Sequence, residues 1–520
     1  MNVISNPKLR VLLSRGPSYR EANKVNWKKT YRCIKEGVFN CVKKWCDKQN
    51  ADTRVLAEWK SRLLQEVRAK IKVLKKRYYR PTQKVLDDKI VKTFLNDFHS
   101  KFVITPTDKA GNNFSITCKQ FYISCLLKES CITEPLKEGS TYKRVDEKSE
   151  KDIVNDHSTY MKDHNILVSS TQKQLPFLYW IPKMHKTPSK QRYIAASHSC
   201  STKPLSKKIT FCLKLIQQTL VNYCTHISKT RKINPMWIVD NSIEVLRKIK
   251  ESNKNKTRNV RTYDFSTLYT SLPHKKLKER IAQVINQCFN NEGRRYIHIN
   301  GQHASCKKAR GKSSNVWDAS TLISHVHYLI DNIYVKCGDT LFQQVIGIPM
   351  GTDCAPFLAN LFLYSYEFDW MYKMLDDKKF DILAKFKYCF RYIDDLLCIN
   401  NDQLMDTFMS EIYPQELSLT SDDTILATNY LDLRLEIKHD NIHTSLFDKR
   451  DAFGFEIVNF PNLSGNIPRK ESYGVFVSQL IRYARCDALA GFVSRTPLGQ
   501  TSYQTRFYDF QVERNVYEVC

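Results

Sequence analysis

The sequence is short of acidic side chains, has no paired cysteine motif and contains no long apolar run. Its 520 residues include 53 Asp and Glu against 82 Lys and Arg, which gives a formal net charge of +29. This imbalance favours a polyanionic partner. Nucleic acid is preferred to a membrane surface, because no amphipathic basic helix stands out as a membrane anchor.

The 17 cysteines are scattered without a Cys-x-x-Cys pair, which argues against a zinc ribbon and against a small disulfide scaffold. The N-terminus interrupts its apolar residues with Arg and Pro, so no signal peptide is predicted. No run of about 18 apolar residues could cross a bilayer. These absences predict a protein of a reducing compartment, nucleus or cytoplasm, that is neither secreted nor embedded in a membrane.

Two aspartates, Asp394 and Asp395, stand side by side in FRYIDDLLCIN between two apolar runs. Adjacent carboxylates repel each other, and burial makes ionising both of them costly, so a divalent cation is an obvious compensating charge. A hairpin tip in water is the alternative, because Asp-Asp is a common turn dipeptide. These residues alone leave both interpretations open.

A third aspartate, Asp264, closes the predicted strand VRTYDFSTLY about 130 residues earlier. A strand end and a hairpin tip can lie side by side in one antiparallel sheet, and three carboxylates would then meet at one edge. Such a set can hold two Mg²⁺ ions together with substrate phosphates and waters. One ion would lower the pKa of an attacking 3′-hydroxyl and the other would stabilise the leaving pyrophosphate, which is the chemistry of nucleotidyl transfer.

The character of the sequence changes along the chain. Residues 1–95 are basic and have helical spacing, with Asp52 or Thr53 as the N-cap of a helix that Pro81 ends. Near residue 100, KFVITPTDKAGNNFSITCKQFY predicts two strands joined by an Asp-Lys-Ala-Gly turn. A helix with one apolar face is predicted after Pro273; the face consists of Leu277, Ile281, Val284, Ile285 and Cys288. Residues 290–320 are polar and are interpreted as an insertion.

Three motifs resemble those of reverse transcriptases and occur in that family's order. FRYIDDLLCIN resembles the Tyr-x-Asp-Asp motif, TYDFSTLYTSLPH the first catalytic-aspartate motif, and GIPMGTDCAPFLANLF the Gly-rich turn with its following helix. An ordered set is far more specific than any single motif and displaces the interpretation as a simple turn. The sequences of these motifs and of YLDLRLEI are most similar to the Penelope-like branch of retroelement reverse transcriptases. The resemblance covers roughly residues 95–490.

This resemblance implies an α+β right-hand polymerase with fingers, palm and short thumb, preceded by a helical basic N-terminal extension. The implied regions are the extension (1–95), a fingers-like region (96–240), the palm with the catalytic aspartates (241–415), and the palm end with a short thumb-like region (416–520). The implied activity is that of an RNA-directed DNA polymerase of a retrotransposable element. RNA template, DNA primer and dNTPs are the implied partners, Mg²⁺ or alternatively Mn²⁺ is the implied cofactor, and the oligomeric state stays open.

Carried over residue by residue, the resemblance makes Asp264 and Asp394 the ligands of both metals and adds Asp395 to the site as electrostatic support. Tyr392 would lie near the primer terminus. Tyr269 falls where these enzymes carry an aromatic steric gate against the ribose 2′-hydroxyl. A core aromatic next to Leu268 is the alternative for Tyr269.

The same resemblance implies contacts with the incoming nucleotide. Pro349 and Gly351 would shape the turn under the new base pair, with Met350 where many reverse transcriptases have Gln. Arg192 and Lys183 fall in the fingers-like segment, where positive side chains clamp the triphosphate. Arg192 is favoured for that role, while Lys183 is hard to separate from Lys186.

Two other functions are weighed against this one. An RNA-dependent RNA polymerase shares the palm, but FSTLY after Asp264 lacks the second acid that such enzymes use to receive a 2′-hydroxyl. A non-catalytic nucleic-acid-binding relic is the other alternative, because the region after YGVFVSQLIRYAR predicts a short thumb. Neither Gly-Ile-Tyr nor Tyr-Ile-Gly, the signature of the nuclease that many relatives append, occurs. A separate endonuclease is a candidate partner, and whether one acts in trans stays open.

Overall fold

The structure is a computed structural model. It describes residues 3–21, 26–49, 54, 56–77, 84–130, 141–253, 256–292, 295–311, 315–421, 425–458 and part of 462–479. The chain forms two compact units. Unit 1 comprises Met1–Ile123, Pro182–Lys190 and Phe453–Val477, and unit 2 comprises Ser124–Ile181, Gln191–Ala452 and Ser478–Cys520.

Unit 1 contains the helical N-terminal extension and one strand pair. Its elements are α1 (Pro7–Ser14), α2 (Trp27–Gln49), α3 (Ala57–Arg77), α4 (Lys89–Lys101), β1 (Phe102–Thr107) and β2 (Ala110–Cys118). The predicted helical extension is therefore confirmed, and β1 and β2 pair antiparallel as expected. The predicted N-cap residues Asp52 and Thr53 and the helix-ending Pro81 lie outside the described residues.

The chain continues through α5 (Lys119–Glu129), β3 (Tyr142–Val145), α6 (Glu150–Asp163), β4 (Phe177–Lys183), β5 (Lys190–Ala196), α7 (Lys203–Arg231), α8 (Ser242–Ser252), β6 (Val260–Ser266), α9 (Leu268–Ser271), α10 (His274–Glu292), β7 (Tyr296–Asn300), β8 (His303–Lys307), β9 (Val316–Trp317) and α11 (Ala319–Asp331). It then forms β10 (Tyr334–Cys337), β11 (Thr340–Gln344), α12 (Ala355–Asp376), α13 (Phe380–Lys385), β12 (Cys389–Tyr392), β13 (Asp395–Ile399), α14 (Leu404–Ile412), β14 (Ser418–Ser421), β15 (Ala427–Tyr430), β16 (Leu433–Lys438) and β17 (Asn441–Leu446).

The central sheet of unit 2 has the strand order β12-β13-β6-β14, and each neighbouring pair is antiparallel. Helix α12 is apolar on nearly every side, as expected of a helix enclosed by others, and it packs against α7, α10 and α14. The helix α12 and the predicted apolar face of α10 are buried together in one hydrophobic core, called the main core below. The members of that face are Leu277, Ile281, Val284, Ile285 and Cys288. A second core lies on the other side of β6 and β13, where β15, β16 and β17 pack.

The polar segment 290–320, interpreted as an insertion, contains strands over its described residues. Strands β8, β7 and β9 pair in that order, and the buried Ile297, Ile299 and Trp317 belong to the main core. A few apolar side chains on alternate strand positions are enough to anchor the segment. Composition alone obscures this anchoring because the intervening residues are polar.

The α+β fold class predicted from the sequence is confirmed by these elements. The antiparallel sheet backed by α10 and α12 has the arrangement predicted for the palm of a right-hand polymerase. Over the part of the chain that the structure describes, no helix combines the length and apolarity that a membrane span requires.

Candidate active site

Strands β6 and β13 bring the three predicted aspartates together. Asp264 and Asp395 are directly opposite each other in the antiparallel register, and the Phe265 N–H donates to the Asp394 carbonyl oxygen at 3.0 Å. Both aspartates of the hairpin therefore flank Asp264. Apolar side chains hold this register from both faces, because Tyr263 and Phe265 enter the main core while Val260 of the opposite face enters the second one.

The pairing also fixes which aspartates share a face of the sheet. Residues directly opposite each other in an antiparallel pair project to the same side, with Cβ atoms about 4.5–5.5 Å apart. Asp264 and Asp395 are therefore neighbours on one face, with Asp264 exposed and Asp395 half-buried. Sequence reasoning coupled Asp264 to Asp394 first, whereas the strand register makes Asp395 its direct partner.

Asp394 lies in the tight turn that joins β12 to β13. The preceding residue, Ile393, has a left-handed backbone with φ of 56°. That conformation is unfavourable for a β-branched side chain and persists only where the surrounding structure holds it. Because the backbone departs from strand geometry here, the half-buried Asp394 does not follow the alternation of side chains between the two faces of the sheet.

Tyr430 secures the same hairpin from the second core. Its hydroxyl contacts the carbonyl oxygens of Phe390 and Asp395 at 3.0 and 3.3 Å, and the side chain is almost fully buried. One tyrosine thus bridges the two strands of the turn. Sequence reasoning did not identify Tyr430, and its only signal is an aromatic residue at the end of a strand.

Tyr269 follows the aspartate strand on the short helix α9, and its half-buried ring packs against the main core. Burial, followed by the charge of Asp394 and by Tyr392, raises the pKa of the Tyr269 hydroxyl well above its usual range. The phenol is therefore neutral at physiological pH and close to Asp394. Core packing and proximity to the aspartates coexist, so the role of Tyr269 as a steric gate stays a prediction.

The Gly-rich turn before α12 is wedged between α9 and β5. Gly347 has φ of 83°, and a Cβ atom placed there would lie 2.4 Å from the Tyr269 carbonyl oxygen. Gly351 has φ of 120°, and its Cβ atom would lie 2.4 Å from the Ala195 carbonyl oxygen. Only glycine fits such positions. Of the two, sequence reasoning singled out Gly351 and overlooked Gly347.

Two hydrogen bonds fasten this turn to its neighbours. The Ile348 N–H donates to the Tyr269 carbonyl oxygen at 2.7 Å, and the Ala195 N–H donates to the Met350 carbonyl oxygen at 3.0 Å. Pro349, between them, is buried. The predicted turn residues are therefore brought beside Tyr269 and β5, while their contact with a base pair stays a prediction.

The predicted triphosphate ligands belong to different units. Arg192 is half-buried on β5 in unit 2, and Lys183 is half-buried at the end of β4 in unit 1. Within unit 1, burial and the positive charges of Lys109, Lys186 and Lys183 lower the pKa of His185. Lys183 therefore belongs to a basic cluster that includes Lys109, which sequence reasoning did not select.

The donor chemistry of the aspartates suits a hard divalent cation. Among the described residues, no group of three or more His, Cys, Asp or Glu side chains could hold a metal ion by itself. Mg²⁺ is commonly bound by only one or two carboxylates, with substrate phosphates and water completing its shell. Neighbouring carboxylates on β6 and on the β12–β13 hairpin fit this kind of shared site.

Comparisons with known proteins give fold-level likenesses only. No protein-family model matches the chain, and no curated protein does. A telomerase from Candida albicans in complex with a TWJ fragment of telomeric RNA is similar at 13% identity with a TM-score of 0.46, over 83% of this chain and 71% of that one. A telomerase from Candida tropicalis in complex with such a fragment is similar at 14% identity with a TM-score of 0.42, over 80% of this chain and 62% of that one. At these values, nothing about activity or partners is transferred.

Proposed function

We propose that the protein is an RNA-directed DNA polymerase that adds dNTPs to a primer 3′-hydroxyl. The observation that supports this most is the register of the palm sheet, which puts Asp264 opposite Asp395 with Asp394 in the adjoining turn. Carboxylates from two distant motifs converge there. A shared cation is the natural compensation for their charge.

The chain's own residues would have distinct parts in that reaction. Asp264 and Asp394, with Asp395 beside them, would hold Mg²⁺. When bound, Mg²⁺ supplies positive charge that stabilises the negative charge on the attacking oxygen and on the leaving pyrophosphate. Tyr392, two residues before Asp394, would contact the primer terminus. The turn at Pro349 would support the new base pair.

The type of polymer and the origin of the gene belong to the same proposal. Tyr269, close to Asp394, would exclude the ribose 2′-hydroxyl and so favour a DNA product. The sequences of the motifs favour a retroelement enzyme of the Penelope-like branch. The net charge of +29 suits a protein that tracks nucleic-acid phosphates.

Primer extension on an RNA template with dNTPs and Mg²⁺ tests this function. Wild type is compared with Asp264→Asn, Asp394→Asn and Asp395→Asn, which keep the side-chain shape and remove the charge. We expect extension by wild type and losses on the order of 10²-fold or more for Asp264→Asn and Asp394→Asn.

The control is Asp339→Asn, which removes a carboxylate from the β10–β11 turn of unit 2 and should extend primers like wild type. A wild type that binds RNA but never extends a primer would favour the non-catalytic relic. Extension with ribonucleotides in preference to dNTPs would favour the RNA-dependent RNA polymerase.

A further inference from the structure

We propose that Arg391, paired with Glu367 inside the palm, is a positioning residue that sets the place of Asp394. This inference rests on the proposed function, because it assigns a task within the same site. Arg391 is the residue two positions before Ile393, and both Arg391 and Glu367 are completely buried. The resemblance to the sequence motifs assigned neither of them a role.

Every N–H of the Arg391 guanidinium has a hydrogen-bond partner. Nε and Nη2 donate to the two carboxylate oxygens of Glu367 at 2.6 and 3.1 Å. Nη1 donates to Asn360 Oδ1 at 2.9 Å and to the Ile393 carbonyl oxygen at 3.1 Å, and Nη2 also donates to the Asn360 carbonyl oxygen at 3.1 Å. All five donors of the planar group are therefore used, which fixes its orientation.

The bond to Ile393 makes this network relevant to the site. The carbonyl group of Ile393 belongs to the peptide that joins Ile393 to Asp394. Ile393 itself has the left-handed backbone that needs outside support. Arg391 thus holds the peptide immediately before the aspartate, and it does so from the core side of the hairpin.

Rigid elements hold Arg391 in turn. Glu367 and Asn360 lie on α12, and the Tyr413 hydroxyl donates to Glu367 Oε1 at 2.8 Å. The backbone of Arg391 is fixed as well, because its N–H donates to the Trp237 carbonyl oxygen at 2.6 Å and its carbonyl accepts from the Val239 N–H at 2.9 Å. The position of the turn is therefore tied to α12, whose apolar side chains lie in the main core.

A purely structural role would not require this choice of residues. Replacing a buried ion pair by apolar residues of similar volume is often neutral or stabilising, because the desolvation of two charges is avoided. Apolar side chains could fill the same space but could not donate to the Ile393 carbonyl. The guanidinium is needed for the direction of that bond, and a metal site requires its ligands to be held within a fraction of an ångström.

The double variant Arg391→Met/Glu367→Leu separates positioning from stability. It removes both charges together, so no uncompensated ion is left in the core. We expect the variant to fold with a lowered unfolding temperature, because the Tyr413 hydroxyl and the acceptors of Asn360 and Ile393 lose their partners. We also expect Mn²⁺ binding at the aspartates, followed by electron paramagnetic resonance with Mn²⁺ alone, to weaken about 10- to 100-fold, as is typical when supporting partners of metal ligands are removed.

Two further variants are the controls for Mn²⁺ binding. Asp394→Asn marks the Mn²⁺ binding that belongs to the site. Arg434→Met/Glu436→Leu removes an Arg–Glu pair of the same chemistry from the partly exposed surface of β16, and it should bind Mn²⁺ like wild type. If the buried double variant fails to fold, Asn360→Ala serves instead, since it keeps the ion pair and removes one acceptor of the guanidinium.

The outcomes separate the two proposals. Loss of Mn²⁺ binding and of kcat in a folded variant, with RNA affinity retained, supports the positioning role. Mn²⁺ binding and extension equal to wild type in the folded variant would overturn it and leave the proposed function standing. Suppose instead that Mn²⁺ binding depends on Asp394 and weakens in the double variant, but wild type does not extend primers. That result would overturn the proposed function and leave the positioning role standing. A wild type without Asp394-dependent Mn²⁺ binding would overturn the positioning role.

Discussion

At the scale of single residues, Tyr269 is predicted to govern the choice of sugar. Its ring packs on the core while the charge of Asp394 acts on its hydroxyl. A ring in that place could exclude a 2′-hydroxyl by steric conflict. A smaller side chain would then admit ribonucleotides.

We expect Tyr269→Val to raise the ratio of ribonucleotide to deoxynucleotide incorporation on the order of a hundredfold, with deoxynucleotide incorporation much less affected. Efficiencies of single-nucleotide incorporation at identical salt and Mg²⁺ give this ratio. Tyr269→Phe keeps the ring and should leave the ratio unchanged. Equal losses for both sugars in Tyr269→Val, with a stability cost approaching about 3–5 kcal/mol, would identify a core aromatic instead.

At the scale of elements, the turn before α12 depends on close approach of backbones. Gly347 and Gly338 both have left-handed φ values, 83° and 60°, but a Cβ atom at Gly338 would meet open space. Gly338→Ala should therefore cost only the strain of the conformation, about 1–2 kcal/mol. Gly347→Ala adds a collision with the α9 backbone and should cost several times more.

Chemical unfolding of the two alanine variants measures this difference. Primer extension should fall with Gly347→Ala, because the turn that contains Gly347 lies beside Tyr269. It should stay near wild type with Gly338→Ala, where a Cβ atom meets open space. Equal stability costs for the two variants would mean that the turn can move away from α9.

Helices α6 and α11 each carry one buried histidine, His157 and His325. Burial lowers the pKa of His157 from 6.5 to about 4, and burial together with the charges of His164 and Lys208 lowers the pKa of His325 from 6.5 to about 4. Each ring uses Nδ1, His157 with the Ser201 hydroxyl at 2.7 Å and His325 with the Tyr160 hydroxyl at 2.8 Å. Both rings are therefore neutral in the folded state near pH 7.

Between pH 6.5 and about 4, the unfolded chain binds protons that the folded protein does not. The free energy of unfolding should then fall with decreasing pH, by up to about 1.4 kcal/mol per pH unit for each histidine, and should not depend on these groups above that range. Chemical unfolding across this range measures the slope. His157→Asn/His325→Asn should flatten it, whereas substitution of the exposed His303 by Asn should not; an unchanged slope in the double variant would contradict the prediction.

At the scale of the whole molecule, the charge of +29 predicts binding dominated by phosphates. If about six phosphates are neutralised, affinity for RNA should fall on the order of a thousandfold between about 50 and 200 mM salt. Titration of a fluorescent RNA at several salt concentrations gives the slope. A flat response would assign the excess of basic residues to some other task.

Much of this protein follows from local sequence. Helical and strand periodicities locate α10, β1, β2 and β6, because the alternation of apolar residues reflects which side of an element is buried. The aspartates and the Gly-rich turn are recognisable for a similar reason, since their chemistry requires particular residue types at short spacing. The net charge needs no structure at all.

The tertiary structure alone decided the rest, because it depends on contacts between residues far apart in the chain. Strand register made Asp395 the direct partner of Asp264, and a single-residue shift would have reversed the faces. Gly347 is required by the approach of α9, and Tyr430 and Glu367 reach the hairpin from separate elements. Periodicity and spacing describe neighbours along the chain, whereas burial of Arg391 among α12 and the β12–β13 turn is set by packing in three dimensions.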